Sequence, residues 1–201
     1  LHSGQKIELE QSTDYPWNGN VRITLNEVPN DSTGLHFRVP GWCGFFRIVV
    51  NGRIQADQAA VNGFRTINRI WKKGDQIDIY MDMPATLIES NPLVEETRNQ
   101  VAIKKGPIVY CLESADLPDY KISDVQIISA IRFKQEEMMI DGGRVMALTG
   151  RTHLRTDNQW GNKLYKEINT KYKPVTIKLI PYYAWANRGK TDMRVWLPFI
   201  R

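Results

Sequence analysis

Residues 76–83 have the sequence Gln-Ile-Asp-Ile-Tyr-Met-Asp-Met, in which every second residue is apolar. Successive side chains of a β-strand point to opposite faces, so this period of two predicts a strand with one buried face. Residues 21–26 (VRITLN) and 35–39 (LHFRV) alternate in the same way. On the buried faces of the predicted strands we expect Ile23, Phe37, Ile48, Ile79 and Met81. On the opposite faces we expect Arg22, His36, Asp78 and Tyr80.

Turn residues separate these alternating runs. Asn51-Gly52 follows an apolar run directly, as the central residues of a type I′ hairpin turn do. Since no segment has a convincing helical period, we predict an all-β protein of two consecutive antiparallel β-sandwich domains, similar to jelly rolls. The polar stretch 89–92 follows a series of six predicted strands and sets the boundary. The expected domains are therefore residues 1–91 and residues 92–201, the second with a long polar loop near residues 149–173.

Composition and charge exclude several classes of protein. The 201 residues carry a net charge of +5, but their basic residues do not form the dense stripe with interleaved aromatics that is typical of a nucleic-acid surface. No apolar run approaches the ~18 residues of a membrane span. The chain begins at Leu1 without Met. We expect it to be a soluble piece of a longer protein, which would be periplasmic or secreted if a signal lies upstream.

The sequence lacks the spacing patterns of common metal and catalytic sites. The three histidines are scattered, and Cys43 and Cys111 fall in different predicted domains without a Cys-x-x-Cys motif. We expect both cysteines to be structural, unbridged thiols. Neighbouring acids such as Glu95-Glu96 point to opposite faces of a strand, so they do not form a glycosidase-type carboxylate pair. We expect no catalytic residue, metal or cofactor in this chain.

The aromatic residues gather beside turn residues in three clusters, 15–19 (YPWNG), 40–44 (PGWCG) and 181–189 (PYYAWANRG). Aromatic faces next to Asn or Arg can bind sugars, whereas Trp and Tyr also favour interfaces between domains. Both interpretations stay open. The candidate residues for carbohydrate or interdomain contact are Trp17, Trp42, Tyr183, Trp185, Asn187 and Arg188.

These clusters and several further motifs resemble the C-terminal β-sandwich region of the family 127 glycoside hydrolases, which are β-L-arabinofuranosidases and related proteins. The resemblance rests on the segments 15–17 (YPW), 38–43 (RVPGWC), 50–52 (VNG), 71–75 (WKKGD), 106–113 (GPIVYCLE), 180–189 (IPYYAWANRG) and 193–197 (MRVWL). It implies two β-sandwich domains that follow a helical (α/α)6 barrel. In that family the barrel carries a zinc-bound cysteine nucleophile and a glutamate acid/base. Cys43 and Cys111 match sandwich motifs instead, so no catalytic residue carries over.

The resemblance implies a non-catalytic module that supports a missing catalytic barrel and contributes to a homodimer interface. The expected partners are that barrel, a second copy of the chain, and plant-type arabinose-containing glycans, which the longer enzyme would bind. The alternative is a carbohydrate-binding module that uses the loop aromatics. We expect Tyr183, Trp185 and Arg188 to pack between the two sandwiches or against the barrel, and the chain alone to be inactive.

Overall fold

The computed structural model describes residues 4–56, 59–156 and 160–200. Two compact units divide the chain, Leu1–Pro84 and Ala85–Arg201. The described residues form strands and short 3-10 helices without an α-helix, which confirms the predicted all-β class. Within the same ranges, no helix has the length and apolarity that crossing a membrane requires.

The first unit has two antiparallel sheets. Its strands are β1 (Glu8–Thr13), β2 (Asn20–Glu27), β3 (Ser32–Arg38), β4 (Phe46–Val50), β5 (Arg53–Ile54), β6 (Phe64–Ile70) and β7 (Gln76–Met81). The larger sheet has the order β1-β2-β7-β4-β5, and β3 pairs with β6 in the smaller one. The tight turn between β4 and β5 is the predicted Asn51-Gly52 hairpin, and both residues have positive φ, 49° and 77°.

The apolar faces of both sheets of the first unit form one core. Its buried members are Leu25, Phe37, Phe46, Ile48, Val50, Trp71, Ile77 and Ile79. Ile23 and Met81, which were predicted to be buried, are partly buried and pack against this core. The Trp71 indole donates from Nε1 to the Thr33 carbonyl at 2.8 Å, so the polar atom of this buried ring is satisfied.

The second unit contains the remaining strands. They are β8 (Ala85–Ile88), β9 (Gln100–Lys105), β10 (Ile108–Glu113), β11 (Val125–Ile128), β12 (Phe133–Ile140), β13 (Gly143–Arg155), β14 (Tyr172–Pro181), β15 (Met193–Arg194) and β16 (Leu197–Ile200). Four 3-10 helices accompany them, Glu95–Thr97, Ser114–Asp116, Ile122–Asp124 and Tyr182–Ala184.

Six of these strands close into a ring, in the order β10-β14-β13-β11-β16-β9, because β9 also pairs with β10. The pairing of β11 with β16 is parallel, whereas the other described pairings between strands of the unit are antiparallel. The sequence pattern predicts a second two-sheet sandwich here, and the structure has a closed barrel with β8, β12 and β15 attached. Fully buried side chains of the unit include Ile103, Tyr110, Leu148, Ile177 and Leu197.

Two boundaries differ from the sequence-based expectations. The units meet after Pro84 rather than after residue 91, because β8 pairs with β9 and therefore belongs to the second unit. The expected loop at residues 149–173 is shorter, since β13 runs to Arg155 and pairs there with Tyr172 of β14. The connection between these strands is residues 156–171, of which 157–159 lie outside the described residues.

Candidate functional site: an aromatic loop anchored by a carboxylate cluster

A polar site in which a buried carboxylate accepts several hydrogen bonds lies where β10 ends, in the second unit. Residues 182–192, which we call the aromatic loop, leave β14 after Pro181 and return through β15. Both flanking strands pair with β10, with Tyr110 opposite Pro181 and Glu113 opposite Met193. The barrel therefore fixes both ends of the loop beside Glu113.

Glu113 is completely buried, and its carboxylate binds the aromatic loop. It accepts hydrogen bonds from the Ala186 backbone N–H at 2.9 Å, from Arg188 Nε at 2.9 Å and from Thr191 Oγ1 at 3.1 Å. Arg188 Nη2 also donates to Glu113. The same guanidinium donates to both oxygens of Asp116, at 3.0 and 2.6 Å. We call Glu113, Asp116 and Arg188 the carboxylate cluster.

The electrostatics of the cluster keep Glu113 and Arg188 charged. Burial alone would raise the pKa of Glu113, but the hydrogen bonds from Ala186, Arg188 and Thr191 outweigh it and hold that pKa below its ordinary value. Hydrogen bonds to Asp116 and to Glu113 raise the pKa of Arg188 despite its burial. A carboxylate with a lowered pKa holds no proton at neutral pH, so Glu113 is unsuited to act as a general acid.

Backbone contacts hold the aromatic loop in a defined shape. Ala186 has a positive φ of 65°, a conformation that costs energy for a residue with a Cβ, and its N–H is the one that Glu113 binds. Asn187 donates from Nδ2 to the Ala184 carbonyl at 3.3 Å. Asp192 and Ser114 exchange two hydrogen bonds at 2.9 and 3.0 Å, which join the end of the loop to the segment after β10. The loop is thus anchored along its length.

The aromatic side chains of this anchored loop are exposed. Tyr182, Tyr183 and Trp185 are 45%, 61% and 39% exposed, and Asn187 is exposed beside them. Arg188 is half-buried because the cluster holds it. Of the predicted contact residues, the structure brings Tyr183, Trp185, Asn187 and Arg188 into one short segment and ties that segment to the barrel.

Trp17 and Trp42 belong to the first unit, and both are half-buried. Trp17 lies in the turn between β1 and β2, where its backbone N–H donates to the Asp14 carbonyl at 2.8 Å. Trp42 lies in the turn before β4, which the Cys43 N–H closes by donating to the Pro40 carbonyl at 3.0 Å. Both indoles therefore belong to tight turns at the ends of strands.

Both cysteines are free thiols, as predicted. Cys111 is completely buried within β10, and burial raises the pKa of its thiol to about 12, which opposes formation of a nucleophilic thiolate. The Cys43 thiol donates to the Phe45 carbonyl at 2.9 Å. In the described ranges, no group of three or more His, Cys, Asp or Glu side chains is arranged to hold a metal ion.

Sequence reasoning missed Glu113, Asp116 and Thr191. Glu113 and Thr191 are 78 positions apart, so spacing along the chain does not reveal their contact. One available signal was Glu113 itself, an acid at the end of the apolar run 108–112 (IVYCL). A charged residue continuing a buried strand requires a partner, and an arginine is the partner best suited to a carboxylate.

Comparisons with known proteins agree with this architecture. Residues 1–83 match the family profile described as β-L-arabinofuranosidase, GH127 middle domain, and residues 85–198 match that of the glycoside hydrolase family 127 C-terminal domain. The point between the two matches coincides with the division between the structural units.

Individual relatives are similar over nearly the whole chain. A non-reducing end β-L-arabinofuranosidase from Bifidobacterium longum is 30% identical over 94% of this chain and 30% of its own length. A solved glycoside hydrolase superposes with a TM-score of 0.92 at 46% identity, over 97% of this chain and 32% of that one. A GH127 β-L-arabinofuranosidase from Geobacillus stearothermophilus T6 gives 0.88 at 31% identity, over 98% and 31%. The chain thus spans about a third of the length of these relatives.

Proposed function

Because the chain belongs to glycoside hydrolase family 127 and comprises its middle and C-terminal β domains, we propose that it is the non-catalytic part of a longer enzyme of the β-L-arabinofuranosidase type. The carboxylate cluster is the observation that carries this proposal. Glu113 and Asp116 are both bound to Arg188, and the nearby Cys111 thiol is buried with a raised pKa. The two carboxylates are therefore held in ion pairs, and the thiol is buried in its protonated form.

The role we propose for the aromatic loop is to contact the remainder of the enzyme. Exposed aromatic side chains on a rigid, anchored segment are typical of partner surfaces. The chain covers about a third of its relatives' length, so the proposed partner is the part of the same polypeptide that would carry the zinc and the catalytic residues. Tyr183 and Trp185 would pack against it, and the carboxylate cluster would hold them in position.

Trp185→Ala tests this contact when it is compared in the chain alone and in the longer enzyme. We expect the melting temperature to fall by more in the longer enzyme, because only there does the indole lose a partner. Tyr80→Ala is the matched control, since Tyr80 is 40% exposed in the first unit and Trp185 is 39% exposed. The control should have equal effects in both proteins. An equal loss for Trp185→Ala in both would show that its role lies within the chain.

The non-catalytic role has its own test. The purified chain should release no arabinose from a β-L-arabinofuranoside above background, because it lacks an activated nucleophile and a protonated acid. Turnover that follows the protein through purification, and that Glu113→Gln abolishes, would overturn the proposal.

A further inference from the structure

A cleft of about 560 Å³ lies on the outer face of the larger sheet of the first unit. It is formed where β1, β2 and β7 lie side by side next to the turn that joins β1 to β2. Its principal polar and aromatic residues are Asp14, Asn18, Asn20, Arg22, Asp78 and Tyr80. The family resemblance, the carboxylate cluster and the proposed role of the aromatic loop all leave this cleft without a function.

One side of the cleft is an aromatic ring beside a charged pair. Tyr80 lies opposite Asn20 in the β2–β7 ladder, and Arg22 lies opposite Asp78. The Tyr80 side chain is 40% exposed on this outer face. Arg22 Nε donates to Asp78 Oδ1 at 2.6 Å. Within the part of the chain that the structure describes, no hydrogen bond occupies the Arg22 Nη groups or Asp78 Oδ2, so the pair offers donors and an acceptor side by side.

The opposite wall is a turn that is held rigidly. Gly19 packs so closely that an added Cβ would lie 1.9 Å from the Met81 carbonyl oxygen, next to Tyr80 in β7. Thr13 Oγ1 donates to the Asn20 carbonyl at 2.7 Å, and the Asn20 N–H donates to Asn18 Oδ1 at 2.9 Å. These contacts fix the amide side chain of Asn18 toward its own turn and position the wall before any ligand arrives, which reduces the entropy lost on binding.

We propose that this cleft binds a neutral saccharide. A sugar ring presents an apolar face, which suits the exposed Tyr80 ring, and hydroxyl groups, which suit the Arg22 donors and the free Asp78 oxygen. Arg47 lies opposite Tyr80 in the β4–β7 ladder, so Arg22 and Arg47 balance the formal charges of Asp14 and Asp78, and the surface has no net charge that would favour an ionic ligand. Because this site lies in the first unit, the proposal is independent of the contact proposed for the aromatic loop.

The test is a titration of the ¹⁵N-labelled 201-residue chain with arabinotriose, xylotriose and digalacturonate, followed by amide chemical shifts. We expect at least one of the two neutral trisaccharides to bind saturably, with a dissociation constant on the order of 1 mM. The shifts should concentrate at Arg22, Asp78 and Tyr80. Digalacturonate should not saturate the site.

Variants locate the binding. Tyr80→Ala should raise the dissociation constant roughly tenfold, and Tyr80→Phe should preserve it because the stacking face remains. If Tyr80→Ala fails to fold, Arg22→Met, which removes the more exposed residue of the Arg22–Asp78 pair, should also raise the dissociation constant. Trp185→Ala, which removes an equally exposed aromatic residue elsewhere, should leave affinity unchanged.

Three results would overturn the proposal. One is the absence of saturable shifts with both neutral trisaccharides. Another is tighter binding of digalacturonate. The third is binding that Trp185→Ala abolishes and Tyr80→Ala preserves, which would place the sugar on the aromatic loop instead. Because the stability comparison in the longer enzyme is a separate measurement, failure here leaves the proposed contact of that loop intact.

Discussion

Arg188→Met should destabilise the second unit strongly, and by an amount that depends on pH. The substitution keeps a long apolar side chain but removes four charged hydrogen bonds, two to Glu113 and two to Asp116. It leaves Glu113, which is completely buried, without its counter-charge. Removing one partner of a buried ion pair costs about 3–5 kcal/mol. For a unit of this size that corresponds to a fall of about 10–20 °C in melting temperature.

The contribution of Glu113 to the pH dependence of stability should have opposite signs in the wild type and in Arg188→Met. In the wild type the folded-state pKa of Glu113 lies below its ordinary value. The ionised carboxylate therefore stabilises the fold at any pH above the ordinary pKa, and this stabilisation is lost as the pH falls through the folded-state pKa. Without Arg188, burial dominates and should place the folded-state pKa above the ordinary value. The buried carboxylate then destabilises the variant as the pH rises. The gap in stability should therefore be widest near about pH 7 and narrow toward about pH 5.

Chemical denaturation followed by circular dichroism at both pH values measures this gap. Arg22→Met is the control, because Arg22 also pairs with an aspartate but has a side chain that is 56% exposed. Its removal should leave the melting temperature nearly unchanged. A loss for Arg188→Met of less than about 1 kcal/mol, or one that stays constant between the two pH values, would refute the account of the cluster as a buried charged network.

The remaining predictions concern the thiols and one glycine. Titration of the denatured chain without reductant should count two free thiols. In the native chain, iodoacetamide should modify the half-buried Cys43 well before the fully buried Cys111. Equal rates of modification in the native chain would contradict the assigned burial. Gly19→Ala should lower the free energy of unfolding by at least about 2 kcal/mol, because the new Cβ would collide with the Met81 carbonyl. Gly44→Ala is the control, since a Cβ there meets nothing within 4 Å, and it should change stability by less than about 0.5 kcal/mol. Similar losses for the two glycines would show that the close approach at Gly19 is unimportant.

Local features of the fold could be predicted because they depend on neighbouring residues. Alternation in 76–83 identified the buried face of β7, where Ile77 and Ile79 join the core and Tyr80 faces outward. Asn51-Gly52 identified a hairpin turn because few residue pairs tolerate positive φ at both positions. A period of two, however, specifies only which side chains share a face. It does not specify the strand with which a segment pairs.

The features that escaped prediction depend on pairing between distant segments. β8 continues the alternating series of the first unit, and only its pairing with β9 assigns it to the second. The closure of the barrel depends on β9 meeting both β10 and β16. At the candidate site, the aromatic loop was visible as a cluster of Tyr and Trp, but its anchor was not. Glu113 and Arg188 are 75 positions apart, and nothing between them marks the contact.

The anchor connects the barrel to the surface that we propose for contact with the rest of the enzyme. β10 is the strand that pairs with β9, β14 and β15, so its position is set by the closure of the ring. Glu113 at the end of β10 then binds the Ala186 N–H and Arg188, which hold the loop carrying Trp185. The closure of the barrel therefore helps to set the position of the aromatic side chains. A partner that binds them would favour the closed barrel by mass action, so that docking and folding of the second unit stabilise each other.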